Sequence, residues 1–362
     1  MSDSHNTMCD LNRLPPDLVE EILPFLPAKS LGRFKSISKR WYSLISSPEF
    51  IKTHIQKFTG NNPNPNPTHL ILLLQYGEFL LYSLDIKQLN TQTTTETLTA
   101  KRLKLKEPCY QIQGSCNGLI LLHDIYHNLY IVNPTTKKTL QVPYGKSNDG
   151  IYGFGYDFST DDYKIISISY TEIPASNAIC TFVRVYSLRN SSWHMLPNPP
   201  YQLHDYYNLH PGVLLNNNLH WVVRSSRLTL TIATFRLADE QYHEIEFPDS
   251  VNYDTTNFSQ LYAFSGKLVV VLSVWYAPNF VYELWVMEEY GVPKSWKKLC
   301  IFDNDIHLDF PFFAQVCDLD ILLGSDANEI FVYNMDERRR TSVTTEGCPK
   351  GFMVCGMLLL DE

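Results

Sequence analysis

The chain contains no run of about 20 apolar residues, the length a bilayer-spanning helix needs; its longest apolar stretch is Leu268 to Tyr276. A membrane-spanning helix is therefore not expected. The opening dozen residues lack a basic segment followed by an apolar core and a small-residue cleavage site, so no secretory signal is read and the expected address is cytoplasm and nucleus. No Cys-x-x-Cys pair exists: Cys9, Cys109, Cys116, Cys180, Cys300, Cys317, Cys348 and Cys355 are scattered along the chain. They read as reduced, packed side chains and not as a zinc or redox centre. In a reducing compartment the sequons at Asn190 and Asn257 never meet the glycosylation machinery. Only 16 of 362 residues are glycine, no Gly-Gly doublet occurs and no Glu/Lys-rich heptad run is present. Collagen, low-complexity disorder and coiled coil are excluded.

What the chain has is an apolar fraction of 44% with abundant aromatics, enough for a sizeable core and for two or three domains. The net charge of −8 is unevenly spread: residues 1–58 carry 8 basic against 6 acidic residues, and the rest 22 against 32, a balance of −10. That larger part repels phosphate, and nucleic-acid binding needs a basic stripe. The only dense one, Arg338 to Arg340, follows Asp336 and Glu337 and reads as a solvated hairpin tip.

Residues 61–67 read NNPNPNP. Alternating prolines remove backbone donors and deny helix, so residues 59–68 are expected to form an extended, exposed linker. Residues 1–10 are expected to be disordered. Between them, residues 11–58 show short helices with explicit punctuation. Pro15 and Pro16 pre-set the entry to a helix carrying Leu18, Ile22 and Leu26 at i, i+4, i+8. Ser30 is expected to cap a second helix with Leu31 and Phe34, Ser38 a third with Trp41, Leu44 and Ile45, and Ser47-Pro48 to start a fourth. Pro24 falls inside the first helical pattern, where it costs about 3 kcal/mol, so that helix is expected to end or kink there. About 45 residues cannot bury this many apolar side chains among themselves, which implies an outside surface that covers them.

The segment LPPDLVEEILPFLPAKSLGRFKSISKRWYSLISSPEFIKTHI, Leu14 to Ile55, resembles a plant F-box, through its Leu-Pro opening, the Leu-Pro-x-Lys-Ser-Leu centre at Leu26 to Leu31 and the Ser-Lys-x-Trp-x-x-Leu-Ile close at Ser38 to Ile45. The resemblance implies docking onto a Skp1-like adaptor and, through it, cullin-1. The implied Skp1-binding residues are Leu14, Pro15, Leu18, Ile22, Leu26, Leu31, Phe34, Ile37, Trp41 and Leu44. Phe25 stands where family members often carry a basic residue.

Beyond the linker a strand, a polar turn and a second strand recur six times. Taking Tyr82, Val132, Tyr186, Phe235, Trp285 and Tyr333 as equivalent positions, the intervals are 50, 54, 49, 50 and 48 residues. A period near 50 with several short strands is the signature of a kelch-like β-propeller. Residues 69–362 are therefore expected to form an all-β propeller of six blades. The first repeat lacks an inner strand, and the C-terminal GFMVCGMLLL is expected to supply it and close the ring. The segments GSCNGLILLHD, YIVNPTTKKTLQVP, YGFGYDFSTDDYKII, VRVYSLRNSSWHMLP and GVLLNNNLHWVV resemble landmarks of the plant F-box-associated domain. THLILLLQYGEFLLYSLD and MEEYGVPKSWKKL are most similar to the CPR-type subgroup, the constitutive-defence-expression F-box proteins.

No catalytic set stands out, and no cofactor or metal is expected. Gly114-Ser115-Cys116-Asn117-Gly118 superficially matches a nucleophile elbow, but no helix pattern follows and Asn117-Gly118 is a hairpin-turn signal. His123 and His127 have metal-like spacing without the intervening Glu of a zinc-protease motif. Gly153-Phe154-Gly155-Tyr156 lacks the third glycine of a dinucleotide loop and reads as a strand with close backbone packing. Asp157, Asp161 and Asp162 read as turn formers. The aromatic segment Tyr201, His204, Tyr206 and Tyr207, with Asp205 and His210, is the candidate substrate-binding region, since exposed Tyr makes interface hot spots.

The reading is a non-catalytic substrate receptor of an SCF ubiquitin ligase, with a protein target. For that target the subgroup implies a negative regulator of plant defence acting on an immune receptor; relatives of the same architecture recognise pistil ribonucleases in pollen. The rival readings are a Skp1-independent scaffold and a propeller hydrolase.

Overall fold

The computed structural model describes residues 16–26, 28–60, 69–76, 78–86, 95–105, 111–143, 150–173, 178–199, 210–224, 230–248, 251, 256–264, 266–276, 279–302, 310–313, 321–326, 329–334, 339–349 and 353–360. The chain divides into two compact units, one within residues 1–65 and one within 66–361.

The described residues of the first unit form four α-helices: α1 (Pro16–Ile22), α2 (Ala28–Phe34), α3 (Lys39–Ser46) and α4 (Pro48–Gly60). Pro24 ends the first as expected: α1 stops at Ile22 and a 3-10 turn, Leu23–Phe25, follows. The Pro24 carbonyl accepts a hydrogen bond from His54 Nδ1 at 2.8 Å, which ties the turn to α4. Ser38 caps α3, its Oγ accepting from Trp41 N at 3.2 Å, and Ser47 Oγ accepts from Phe50 N at 3.2 Å at the start of α4. Ser30 is not a cap, because α2 already begins at Ala28. The helix α4 reaches Gly60, two residues into the segment expected as linker; residues 61–68 lie outside the described residues. The core is Leu23, Leu31, Ile45 and Phe50, with Val19, Leu26, Phe34, Trp41 and Leu44 packed against it.

The second unit is a β-propeller. Four sheets of four antiparallel strands follow the repeat. The second repeat holds Gln111–Cys116, Leu119–His123, Leu129–Asn133 and Lys138–Gln141; the third, Ile151–Asp157, Asp162–Ile173, Ala178–Ser187 and Ser192–Leu196. The fourth holds Val213–Leu215, Asn218–Arg224, Leu230–Arg236 and Gln241–Glu246; the fifth, Thr256–Phe264, Lys267–Tyr276, Asn279–Met287 and Trp296–Phe302. The sixth and first repeats share one eight-stranded sheet, because Arg339–Glu346 pairs in parallel with Thr95–Arg102. The described residues thus form five sheets in place of the six blades that the period predicts. The C-terminal strand Met353–Leu360 pairs with His69–Tyr76 and supplies the strand the first repeat lacks. Arg339 and Arg340 open a strand, opposite Asn334 and Tyr333 at the closing end of that hairpin; Arg338 lies outside the described residues.

All six repeat-defining residues fall on the third strand of their repeat. In the third, fourth and fifth repeats that position is an aromatic, paired across the sheet with a group that suits it. Tyr186 meets Trp193 with ring centroids 5.2 Å apart, Phe235 meets Tyr242 at 5.4 Å, and Lys298 Nζ lies 4.8 Å from the Trp285 ring centroid. The outer-strand aromatics also reach the preceding sheet. Trp193 Nε1 donates to Pro143 O at 2.9 Å, Tyr242 OH to Pro197 O at 3.3 Å and Trp296 Nε1 to Glu246 O at 3.0 Å. Buried clusters join the third to the fourth sheet and the fourth to the fifth. Close approach is required at Gly153 and Gly155, where an added Cβ would lie 2.7 Å from Trp221 and 2.6 Å from Leu237.

A charged cluster fastens the third sheet to the fourth. Lys164 Nζ donates to Leu237 O at 2.7 Å and lies 3.0 Å from both Asp157 Oδ2 and Glu240 Oε1; Glu240 Oε2 is 2.7 Å from His194 Nε2. Burial alone would lower the Lys164 pKa, yet the hydrogen bonds and charges of Glu240 and Asp157 together outweigh it and the pKa is raised. Burial likewise pushes Asp157 and Glu240 up, but hydrogen bonds from Ser159, Thr160 and Lys164 to the first, and from His194 and Lys164 to the second, leave both lowered. The lysine's contribution is complete below its unfolded pKa and is lost as pH rises through the folded one. The carboxylates' contributions are complete above their unfolded values and are lost as pH falls through the folded ones. Urea unfolding should therefore show this cluster's stabilisation complete from about pH 5 to 10. Lys164→Met, which leaves Asp157 buried without its cation, should cost about 3–5 kcal/mol and move the acid limb to higher pH.

Candidate protein-binding surfaces

The helical unit carries an apolar stripe that does not face its own core. On α1 the core-facing residues are Val19 and, just beyond it, Leu23, while Leu18 and Ile22 are 43% and 50% exposed. Ile37, in the turn after α2, is 55% exposed. Of the other residues implied by the resemblance, Leu26, Phe34, Trp41 and Leu44 are half-buried against the core, with Phe34 and Trp41 edge to face at 5.3 Å. Leu31 is buried in the core cluster with Leu23, Ile45 and Phe50. Leu14 and Pro15 lie outside the described residues.

Sequence reasoning missed three exposed apolar groups, Phe25, Tyr42 and Ile51. Lys57 Nζ stands 4.4 Å from the Phe25 ring centroid, so a cation is present beside the place where family members often carry a basic residue. The available signal was the spacing of Lys57 on α4, one helical turn after His54, which itself bonds the Pro24 turn.

On the propeller, antiparallel order puts the end of each second and fourth strand, and the start of each first and third strand, on one rim. This rim carries the turn Asp124–Asn128. Asp124 Oδ1 accepts from Tyr126 N and Asn128 N, both at 2.8 Å, and Oδ2 accepts from Asn128 Nδ2 at 2.9 Å and Tyr130 OH at 3.2 Å. Burial would raise the Asp124 carboxyl pKa, but these hydrogen bonds outweigh it and lower the pKa. The turn presents Ile125 and Tyr126 to solvent. The same rim receives the end of Ser192–Leu196 and the start of Val213–Leu215, which the candidate segment Tyr201, His204, Tyr206 and Tyr207 connects; those four residues lie outside the described residues. His210, just after them, is half-buried, and desolvation lowers its pKa to about 4.

Several of the sequence motifs that hinted at chemistry form turns. Asn117 and Gly118 form a tight turn at φ 50° and 72°, and Cys116 is buried beside it. His123 and His127 rings lie 5.2 Å apart, but among the described residues no group of three or more His, Cys, Asp or Glu could hold a metal. Asp162 accepts from Ser187 Oγ and Arg189 N, and Asp157 from Ser159 and Thr160, so both organise turns. Among the described residues no helix is long and apolar enough to cross a membrane.

Comparison with known proteins agrees with these two units. Residues 11–53 match the F-box domain and residues 69–350 match the F-box associated beta propeller domain. The chain belongs to the F-box proteins with an F-box-associated β-propeller, an architecture typical of SCF substrate receptors. It is similar to F-box protein CPR1 of Arabidopsis thaliana, at 29% identity covering 94% of this chain and 86% of the relative. It is also similar to the F-box/kelch-repeat protein At3g23880 of the same plant, at 29% identity covering 83% and 82%, and to F-box protein At3g07870, at 28% covering 80% and 72%.

Replacing Asp124 by Ala should release the turn that presents Tyr126. Hydrogen exchange of the Tyr126 and Asn128 amides should quicken by about tenfold or more while the strand amides of Ile120 to Leu122 stay protected.

Proposed function

We propose that this chain is the substrate-recognition subunit of an SCF E3 ubiquitin ligase: the helical unit holds a Skp1-like adaptor, which hangs from cullin-1, and the propeller holds a protein destined for ubiquitination and proteasomal degradation. The observation that carries the reading is the exposure of the apolar side chains Leu18, Ile22 and Ile37 on a module whose hydrophobic core, among the described residues, is the small cluster of Leu23, Leu31, Ile45 and Phe50. A large exposed apolar stripe on so small a unit costs solubility unless another protein covers it.

The mechanism is tethering. Holding a target lysine near a ubiquitin-charged enzyme raises its effective concentration, which needs binding surfaces and a rigid spacer and no acid, base or nucleophile of the chain's own. The turns organised by Asn117–Gly118, Asp157 and Asp162 support a non-catalytic receptor. Similarity to the constitutive-defence-expression subgroup makes immune receptors the first target class to test, with turnover of pistil ribonucleases as the alternative within the same architecture. A cytoplasmic and nuclear address goes with both.

Replacing Leu18 and Ile37 together by Glu should abolish co-purification with Skp1, weakening capture at least about 100-fold by placing charge in an apolar interface. Because both side chains face solvent, the thermal midpoint should stay within about 2 °C of the parent. Capture that survives both substitutions contradicts the docking assignment. Trp41→Ala is a different probe, since it also removes packing from Phe34 and should destabilise the module itself.

A further inference from the structure

The charge of the acidic region, residues 59–362, is not evenly spread along it. Residues 101–143 hold Lys101, Arg102, Lys104, Lys106, Lys137 and Lys138 against Glu107 and Asp124, a balance of +4, which leaves −14 on the rest of that region. Four of these cations fall within Lys101 to Lys106, a second dense run besides Arg338 to Arg340. Lys137 and Lys138 are apart from it, at the start of the last strand of the second repeat.

The structure brings the run to the rim of the Asp124–Asn128 turn. Thr95–Arg102 is the last strand of the first repeat, and antiparallel order puts its end on that rim. Beyond the strand the chain stays pinned: Leu103 N donates to Leu81 O at 2.9 Å. Leu103 and Leu105 pack against the cluster that holds Ile112, Leu122 and Tyr130, at the same end of the second-repeat sheet. Tyr130 OH in turn donates to Asp124 Oδ2 at 3.2 Å, so one packed seam holds both the cationic segment and the turn. With the two leucines half-buried there, Lys101, Arg102 and Lys104 are exposed. Among the described residues Lys101 and Lys104 make no ion pair, whereas Lys164, Arg236, Lys267 and Lys298 each have a carboxylate partner.

Asp124 does not neutralise these cations. It is buried, and its oxygens already accept from Tyr126 N, Asn128 N, Asn128 Nδ2 and Tyr130 OH. Glu107 lies outside the described residues. The turn that Asp124 braces adds exposed apolar surface, Ile125 and Tyr126, on the same rim. The spacing of the cations states which anion they suit. Extended chain rises about 3.4 Å per residue and turns successive side chains to opposite sides, so Lys101 and Lys104 are about 10 Å apart and flank the segment on both sides. They do not converge on one point, as a single phosphate requires; they match a row of carboxylates.

We propose that the seam between the first and second repeats docks an acidic segment of the target, with aspartates or glutamates along Lys101, Arg102 and Lys104 and an apolar side chain set against Ile125 and Tyr126. This deepens the receptor reading and rests on it. An exposed tyrosine on a braced turn supplies an anchor that loses little freedom on binding. The cations supply selection and encounter rate, because the −14 carried elsewhere repels an acidic ligand from other approaches. A long polyanion such as nucleic acid would extend past the seam into that repulsion.

The test titrates the full chain against a labelled peptide of glutamates flanking one phenylalanine, read by fluorescence anisotropy. Binding should saturate below about 100 μM and weaken as salt rises. Lys101→Glu with Lys104→Glu should weaken it at least about tenfold and should raise affinity for the matching lysine peptide. Tyr126→Ala should weaken it about threefold or more. Lys294→Glu with Lys297→Glu makes the same charge change at exposed positions near and in the last strand of the fifth repeat, and should leave binding within about twofold of the parent. Should the reversed seam variant fail to fold, Lys101→Gln with Lys104→Gln gives the same direction of effect. Four results would each overturn the proposal: no saturation, equal loss from the two charge reversals, indifference to Tyr126→Ala, or tighter binding of a single phosphoserine peptide or of a single-stranded oligonucleotide. Skp1 capture, measured in parallel, separates the two readings: capture without peptide binding refutes the seam alone, and peptide binding without capture refutes the ligase assignment alone.

Discussion

The antiparallel pairing of Met353–Leu360 with His69–Tyr76 is the contact on which the second unit depends. A four-stranded sheet with apolar side chains on both faces cannot be stable in water by itself; each must bury one face on the sheet before it and the other on the sheet after it. That demand is met all the way round only if the chain's two ends are joined, and here the join is made by seven register pairs between strands almost three hundred residues apart in sequence. Once the ring is closed, the rims are held by the sheets and their turns can vary without cost to the core. Asp124 fixes one such turn, and the outer-strand aromatics Trp193, Tyr242 and Trp296 repeat one hydrogen bond from sheet to sheet.

The helical unit obeys the opposite constraint. It is too short to close on itself, so its apolar residues divide into those that make a small core and those that stay outside. Pro24 contributes to this division. By stopping α1 at Ile22 it turns the chain so that Leu23 enters the core, while Phe25 stays outside beneath Lys57. The penalty of a proline inside an α-helix is avoided because α1 has already ended and Pro24 sits at the start of the 3-10 turn, where no intrahelical donor is needed.

Much of this was legible in the sequence, and what was not has physical causes. The 50-residue period was readable because each third strand needs a large residue to fill the space between sheets, and Tyr186, Phe235 and Trp285 do so. The count of sheets was not, since the fusion of the sixth and first repeats depends on a parallel pairing between strands distant in sequence. The i, i+4 stripe of Leu18 and Ile22 was visible as a stripe, but periodicity does not say which of two adjacent apolar rows faces inward; the Val19 and Leu23 row does. For the same reason Leu31 looked like an interface residue and is core.

The account holds that one chain presents two separate protein-binding surfaces, with the helices reserved for the adaptor. Hydrogen exchange of the intact chain with and without Skp1 tests this most directly. The account predicts new protection confined to residues 16–60, with the propeller strands unchanged; protection in the propeller, or none anywhere at micromolar Skp1, would contradict it.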